Sequence, residues 1–286
     1  MLERGASAPR FLLYNAGQRR VGARRGESCM TRYVVLNRQD HGIRSWKRRV
    51  DYKFTAKEQA VLLVAQEAEA ACCEMPIGFV RHGEGLELAL LCSFSANDNV
   101  YVAPDGHWIM RYIPMILRGH PFHHLRQPGS HQAVLCIDED SECLQQGGNE
   151  TFFNEDGTPS PLVEDAIKLH AFLDAARTMT RAAIAALAKA NVIVPWQIVA
   201  NIEKQVVSVP GFLRIDKEAF NKLDDATVLE LRKVGALEIA YYQLASVHQI
   251  PTVELLTEMK ERFRKTGGAP TSDQIADLLK SDRPIF

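Results

Sequence analysis

The sequence predicts an α+β protein, in which an antiparallel, strand-rich N-terminal half is packed with a helical C-terminal half. Short apolar runs separated by turn residues fill much of the first half, and a long stretch of helical periodicity begins near residue 160. Strands first and helices later are typical of the α+β class. The chain has 286 residues, 46% hydrophobic and 24% charged, which is the composition of a soluble globular protein. No run approaches the ~18 consecutive apolar residues that a membrane span needs.

The strands of the first half are predicted from apolar or β-branched runs joined by tight turns. They cover residues 31–37, 77–81, 86–94, 100–103, 108–113 and 133–137. His82-Gly83-Glu84-Gly85 predicts a hairpin, and Pro104-Asp105-Gly106 predicts a turn. Thr55-Ala56-Lys57-Glu58 matches a capping box, which predicts a helix over 59–73 that Pro76 ends. Strands joined in order by short turns predict an antiparallel meander.

The second half is predicted to begin with a long helix, capped by Ser160 and with Pro161 at its first position. Apolar residues recur at steps of four and three up to Leu187, and Asn191 is a fitting left-handed end. The remaining predicted elements are an edge strand over 192–199, a strand over 211–215, two short helices capped by Asp216 and Asp224 and ended by Gly235, and helices over 236–247 and 253–265.

The expected organisation has three segments. Residues 1–29 are expected to be a disordered or mis-started leader, because a strand-like sequence begins directly after Met30; a transit peptide is the alternative. Residues 30–266 are expected to form a single α+β domain. Residues 267–286, which open with Gly267-Gly268-Ala269-Pro270, are expected to be a linker followed by a short C-terminal helix.

Charge is balanced overall but uneven along the chain. The net charge is −1, yet residues 1–49 hold 12 Lys and Arg against 3 Asp and Glu. Within this part, Arg44, Lys47, Arg48 and Arg49 surround Trp46. An aromatic among cations is able to stack on bases or lie at an anionic surface, whereas the plain alternative is solvated protein surface. No helix-turn-helix, RNA-binding or zinc-finger pattern accompanies the segment.

The six cysteines do not form a C-x-x-C pair, so neither a zinc ribbon nor a thioredoxin-type site is indicated. They are Cys29, Cys72, Cys73, Cys92, Cys136 and Cys143. Without a recognisable secretory signal, we expect reduced thiols and a cytoplasmic location.

Five motifs in a fixed order resemble the bacterial SapC family. They are Met30–Asn37, the segment from Gly106 and Trp108 through Tyr112, Pro114 and Arg118 to Pro121-Phe122, Leu135-Cys136-Ile137-Asp138, Phe153-Asn154-Glu155-Asp156-Gly157, and Gly211–Asp216. The resemblance covers roughly residues 30–250. His120 departs from it, since the family more often has an aromatic residue there.

The resemblance implies an accessory role in handling a surface ligand or a modified peptide. The family takes its name from a protein linked to surface-layer formation in a pathogen. Its genes often lie near those for outer-membrane receptors and flavin-dependent halogenase-like proteins. It has no established reaction or cofactor, so no catalytic residue carries over. Peripheral association with the cell surface is compatible with this role.

Trp108, Tyr112 and Arg118 are the ligand-binding candidates. Trp and Tyr combine a large apolar area with a polar tip, and Arg pairs bidentately with carboxylates. If residues 108–112 form a strand, Trp108 and Tyr112 share one face and are able to line a pocket. The alternative is core packing, with Arg118 paired to Asp138.

His120, His123, His124 and His131 are candidate metal ligands, because imidazole binds zinc, iron or nickel. Their spacing matches no established metal motif, and neighbours on a strand point to opposite faces. The alternative is a polar loop with exposed histidines.

We therefore expect a non-catalytic accessory or binding protein without a cofactor, whose partner is a protein or peptide ligand, cell-surface components included. One alternative is a metal-dependent enzyme that uses the histidine-rich segment 120–131. A third possibility is nucleic-acid or anionic-surface binding through residues 44–49.

Overall fold

The computed structural model describes residues 32–47, 51–126, 133–146, 150–202 and 205–266. Within these ranges the chain forms two compact units. The large unit contains residues 51–114 and 176–266, and the small unit contains residues 32–47 and 115–175. The leader and the C-terminal segment expected from the sequence lie outside the described residues, and the single-domain boundaries stay a prediction.

The elements of the described residues are mostly short. The strands are β1 (Tyr33–Val35), β2 (Arg44–Trp46), β3 (Ala60–Leu63), β4 (Ile77–His82), β5 (Gly85–Leu91), β6 (Phe122–Arg126), β7 (Ala133–Asp138), β8 (Leu144–Gln146), β9 (Glu150–Thr151), β10 (Ile193–Pro195), β11 (Ile198–Ile202), β12 (Gln205–Val209) and β13 (Phe212–Ile215). The helices are α1 (Arg38–His41), α2 (Ala68–Cys72), α3 (Met115–Arg118), α4 (Pro161–Lys189), α5 (Lys217–Asn221), α6 (Asp225–Lys233), α7 (Ala236–Ser246) and α8 (Ile250–Thr266). The α+β class is confirmed.

The large unit is built on a five-stranded antiparallel sheet in the order β10-β13-β4-β5-β3. The predicted hairpin is confirmed: β4 and β5 pair from Ile77 opposite Leu90 to His82 opposite Gly85. Gly83 takes the turn position at φ +60°, where glycine pays no steric penalty. Two of the five strands come from residues 193–215, so the sheet is not the simple meander of the first half.

Helix α7 packs against β4 and β13 through two buried polar side chains. The Gln243 amide accepts a hydrogen bond from the Ile215 backbone N–H at 2.9 Å and donates to the Ile77 carbonyl at 3.3 Å. Ser246 Oγ accepts from the Ile77 N–H at 3.0 Å. These bonds satisfy backbone groups that the sheet leaves unpaired, and buried polar groups need such partners.

The helix predicted over 59–73 is wrong. Its first part is strand β3, whose four residues are all buried and pair with β5 from Ala60 opposite Leu91 to Leu63 opposite Leu88. Only 68–72 is α-helical. A short run of buried Ala, Val and Leu suits a strand or a helix equally well, and pairing with β5 decides between them.

The strands predicted over 100–103 and 108–113 are reduced to an isolated bridge between Val102 and Trp108. For residues 108–113 the physical reason lies in Glu74, which is 6% exposed. Its carboxylate accepts the backbone N–H groups of Arg111 and Tyr112 at 2.8 and 3.2 Å. Because a carboxylate takes these donors, they are not available to a neighbouring strand.

The small unit contains two three-stranded antiparallel sheets, ordered β1-β7-β6 and β8-β2-β9. Its core is apolar and aromatic. The buried members of this core include Trp46, Phe122, Ile137, Phe152, Val163 and Ala166. The strand predicted over 133–137 is confirmed as β7, and β2 and β6 were not predicted.

Helix α4 contributes residues to both units and begins and ends close to the predicted positions. Asn191 follows it at φ +55°, as predicted. Ser160 precedes Pro161, but its Oγ is buried and makes no hydrogen bond within the described chain, so the predicted side-chain cap is not formed. The predicted caps of α5 and α6 are confirmed: Asp216 and Asp224 accept backbone N–H groups of their first turns.

Candidate functional site

A buried carboxylate in the β4–β5 hairpin is the centre of the candidate site. Glu87 lies on β5 opposite Val80 and is 1% exposed. An isolated buried carboxylate is expensive, so such a group is normally paired with cations and hydrogen-bonded. The large unit supplies these partners from helix α4.

Arg177 and Arg181 bind Glu87 from one face of helix α4. They are four residues apart, which places them on neighbouring turns of the same face. Arg177 donates from Nε and Nη2 to Glu87 Oε1 at 3.1 and 2.9 Å. Arg181 donates from Nε to the same oxygen at 2.7 Å, and its Nη2 also contacts this oxygen. Two guanidinium groups therefore converge on one carboxylate oxygen, which fixes the position of both.

His82 completes the cluster on β4. Its Nδ1 lies 3.7 Å from Glu87 Oε1. Burial, followed by the positive charge of Arg177, lowers the pKa of His82 below its usual value, although Glu87 acts in the opposite direction. A neutral imidazole at neutral pH leaves the two guanidinium groups and one carboxylate with an excess of positive charge.

A pocket of about 560 Å³ lies beside this cluster in the large unit. Its polar lining includes Arg81, Glu84 and Arg181. Its apolar lining comes from β5, α4, β10 and β13. These apolar residues are Leu86, Ile184, Ala185, Ala188, Ile193 and Leu213. The volume lies within the range of pockets that hold small molecules, roughly 300–1,000 Å³.

The pocket presents two arginines to a ligand. Arg81 is exposed, and its side chain makes no hydrogen bond or ion pair with any described residue. The Arg181 side chain is 50% exposed, and it binds Glu87 through Nε and Nη2, which leaves Nη1 outside this ion pair. Guanidinium groups bind carboxylate and phosphate oxygens in a bidentate way. The lining therefore suits an anionic group attached to an apolar body.

Trp108 and Tyr112, the residues singled out in the sequence, lie elsewhere in the large unit. Trp108 is 9% exposed, and its Nε1 donates to the Tyr112 carbonyl at 2.8 Å. The Tyr112 hydroxyl donates to Glu67 Oε1 at 2.8 Å, and Glu67 is 1% exposed. Their polar tips are thus engaged with the protein itself. Arg118 ends helix α3 of the small unit. A ligand-binding role for these three residues stays a prediction.

Three of the four histidines proposed as metal ligands, His120, His123 and His124, lie on or near β6 of the small unit. His120 Nε2 is 3.0 Å from Ser141 Oγ, and His124 Nδ1 is 3.0 Å from Asp174 Oδ2. His123 stacks on Tyr33. His131 lies outside the described residues. Within the part of the chain that the structure describes, no group of three or more His, Cys, Asp or Glu side chains is arranged to hold a metal ion. The metal hypothesis stays a prediction, because His131 belongs to it.

His170 on α4 is a neighbour that the sequence did not indicate. Its ring centroid is 6.0 Å from that of His123 and 5.5 Å from that of His124. Burial, and then the nearby His124, lowers the pKa of His170 to about 4. His170 is therefore neutral at neutral pH.

The basic segment around Trp46 has one described feature that bears on nucleic-acid binding. Trp46 is 7% exposed and packs edge-on against Phe122, with ring centroids 5.5 Å apart. Its ring is core and is not available to stack on a base. Arg44 donates to Glu139 at 3.1 Å, and Arg48 and Arg49 lie outside the described residues.

Sequence reasoning missed Glu87, Arg177 and Arg181. A signal for them exists in retrospect: Glu87 is a single carboxylate inside the apolar run 86–94, where a buried charge demands a cation. Arg177 and Arg181 have the helical spacing of such a partner pair. Nothing local, however, connects a hairpin to a helix about ninety residues away.

Comparisons with known proteins give a family and no closer relative. No helix of the described residues is long and apolar enough to cross a membrane. No curated protein and no solved structure matches the chain. The SapC family model matches residues 36–253, which is most of the chain. The chain therefore belongs to the SapC family.

Proposed function

We propose that this SapC-family protein is a non-catalytic binding protein that holds an anionic ligand with an apolar body in the pocket of the large unit. The observation that carries the proposal is the pocket of about 560 Å³ lined by Arg81 and Arg181 beside buried Glu87. Handling of a surface ligand or a modified peptide, the role implied by the family resemblance, is the setting in which such binding would serve.

The charges of the lining support an anionic group on the ligand. The Arg81 side chain is without a partner among the described residues, and Arg181 is only partly engaged by Glu87. Glu84 contributes one negative charge, so the lining keeps an excess of one positive charge. A carboxylate placed between the two guanidinium groups would be bound by charge-assisted hydrogen bonds, which are about twice as strong as neutral ones.

The apolar lining supports a hydrophobic part on the same ligand. Leucine, isoleucine and alanine side chains make up most of the rest of the walls, together with Gly85 and Asn191. Burying apolar ligand surface against them contributes roughly 25 cal/mol per Å². A medium-chain acyl group or an apolar side chain of a peptide meets this requirement.

The role of Glu87 supports binding rather than catalysis. Its Oε1 accepts from two arginines and the carboxylate is 1% exposed. A carboxylate held in this way anchors cations and has no exposed face to offer to a substrate. Glu87 is therefore a positioning residue, which keeps Arg181 oriented towards the pocket.

The test is a calorimetric titration of the full chain with decanoate, and with decanamide as its neutral counterpart. We expect decanoate to bind about tenfold more tightly than decanamide, which corresponds to about 1.4 kcal/mol. Arg81→Gln should remove most of this preference. Arg232→Gln, at an exposed arginine of α6 that does not line the pocket, is the matched control and should leave it unchanged.

Two results would contradict the proposal. One is the absence of binding by decanoate and by an N-acetylated apolar tripeptide with a free carboxylate. The other is binding that Arg81→Gln and Arg232→Gln weaken equally, because that would be a general effect of net charge.

A further inference from the structure

We propose that Cys72 and Cys73 form a two-sulfur chelating site for a soft, thiophilic ligand of the trivalent arsenical class. The site lies at the end of helix α2 in the large unit and shares no residue with the pocket. It is therefore independent of the proposed function.

The two thiols converge, although adjacent residues of a regular helix do not face each other. Helix α2 ends at Cys72, and Cys73 is its C-cap. Both sulfhydryl groups donate to the same acceptor, the carbonyl oxygen of Glu69, at 3.1 and 3.3 Å. Two sulfurs that both lie within 3.3 Å of one carbonyl oxygen are close enough together to bind one ligand atom.

One of the two sulfurs is open to solvent. Cys73 is exposed, whereas Cys72 is 8% exposed. The other free cysteines of the described chain, Cys92, Cys136 and Cys143, are all buried. A ligand would therefore bond first to Cys73 and then to the neighbouring Cys72.

Condensation with an arsenoxide is the reaction that two adjacent thiols offer. Burial, and then the neighbouring Cys73, raises the pKa of Cys72 to about 11, so its thiol is protonated at neutral pH. Two thiols condense with an arsenoxide without any oxidant. Two As–S bonds form, the As=O bond breaks, and both thiol protons leave with the oxygen as one molecule of water. Arsenic stays trivalent throughout.

Attachment through two sulfurs distinguishes this site from single thiols. Once the first As–S bond has formed, the second thiol acts at a high effective concentration, which raises the overall affinity by about 10²–10⁴. A monothiol competitor should be a weak displacing agent, and a dithiol competitor a strong one.

The experiment treats the full chain with phenylarsine oxide and follows intact mass. We expect one phenylarsenic group per chain, retained in excess 2-mercaptoethanol and removed by 2,3-dimercaptopropanol. Cys73→Ser should weaken retention about 100-fold. Cys143→Ser, at another free cysteine, is the matched control and should keep the adduct.

Cys73 is exposed, so Cys73→Ser is expected to fold, and circular dichroism checks this. Cys72→Ser is the second variant and should lose the adduct in the same way. Retention of the adduct by Cys73→Ser would overturn the proposal. So would its removal from the wild-type chain by 2-mercaptoethanol as readily as by the dithiol.

Discussion

The two units each contain a carboxylate that gathers arginines and a histidine, and the two clusters differ in what surrounds them. In the large unit, Glu87 binds Arg177 and Arg181 beside a pocket. In the small unit, Glu139 binds Arg44 at 3.1 Å and Arg32 at 3.2 Å, and His41 at 3.1 Å. None of these small-unit residues lines the described pocket. The same pairing of a carboxylate with arginines thus lies beside a pocket in the large unit, whereas in the small unit it links separate elements of the fold.

Exposure gives the two clusters different energetic roles. The Glu87 side chain is 1% exposed and that of Glu139 is 12% exposed, while the Arg32 partner is 64% exposed. Burial acts to raise the pKa of Glu139, but hydrogen bonds and charge from Arg44, with help from His41 and Arg32, outweigh it and lower this pKa. Water therefore screens part of the charge of Glu139, whereas the buried charge of Glu87 is stabilised by its arginine partners.

The largest expected effect separates the two clusters directly. Glu87→Gln leaves two guanidinium groups without their counter-charge and should lower the free energy of unfolding by about 4 kcal/mol. Glu139→Gln, at a carboxylate that is itself more exposed, should lower it by about 1 kcal/mol. Urea unfolding followed by circular dichroism measures both. Equal losses would show that burial does not distinguish the clusters.

The next largest expected effect is a loss of stability at acid pH, which we attribute to His170 in the small unit. His170 has a pKa of about 4 in the folded chain, against 6.5 for an ordinary histidine. Between these values the unfolded chain binds a proton that the folded chain does not. The free energy of unfolding should therefore fall as pH drops from about 6.5 to about 4, by about 3 kcal/mol in total.

Replacement of His170 checks this assignment. His170→Gln should flatten the dependence of unfolding free energy on pH in that window. His107→Gln, at a side chain that is 64% exposed, is the control and should leave the dependence as it is. An unchanged slope in His170→Gln would show that another group carries the acid sensitivity.

A smaller effect compares two glycines, one in each unit. A Cβ on Gly119 would lie 2.8 Å from Nε2 of buried His170, so Gly119→Ala should cost about 2 kcal/mol through overpacking. A Cβ on Gly85, at the start of β5, would meet no atom within 4 Å. Gly85→Ala is therefore expected to be nearly neutral in thermal unfolding. A neutral Gly119→Ala would mean that the His170 ring moves without cost.

Local signals in the sequence predicted much of the fold. Gly83-Glu84 marks the hairpin turn, Asn191 the end of α4, and Asp216 and Asp224 the starts of α5 and α6, because each of these features depends on neighbouring residues alone. The run 60–63 was mistaken for helix because its strand pairing with β5 is a tertiary contact.

The candidate site was beyond local reasoning for the same physical reason. Glu87 and Arg177 are ninety residues apart in sequence, and their pairing depends on how α4 packs on the hairpin. Trp108 and Tyr112 attracted attention as aromatic residues in a family motif. In the structure, Trp108 donates to the Tyr112 carbonyl, and the Tyr112 hydroxyl donates to buried Glu67. Residue type alone does not separate a ligand contact from a structural one.

The central claim is that the pocket of the large unit binds an anionic, apolar ligand. A crystal structure of the full chain with ω-bromodecanoate tests it most directly, because bromine is located by its anomalous scattering. We predict a bromine peak among Leu86, Ile184 and Leu213, with the carboxylate at Arg81 and Arg181. A bromine peak outside these walls, or a carboxylate directed away from both arginines, would contradict the account.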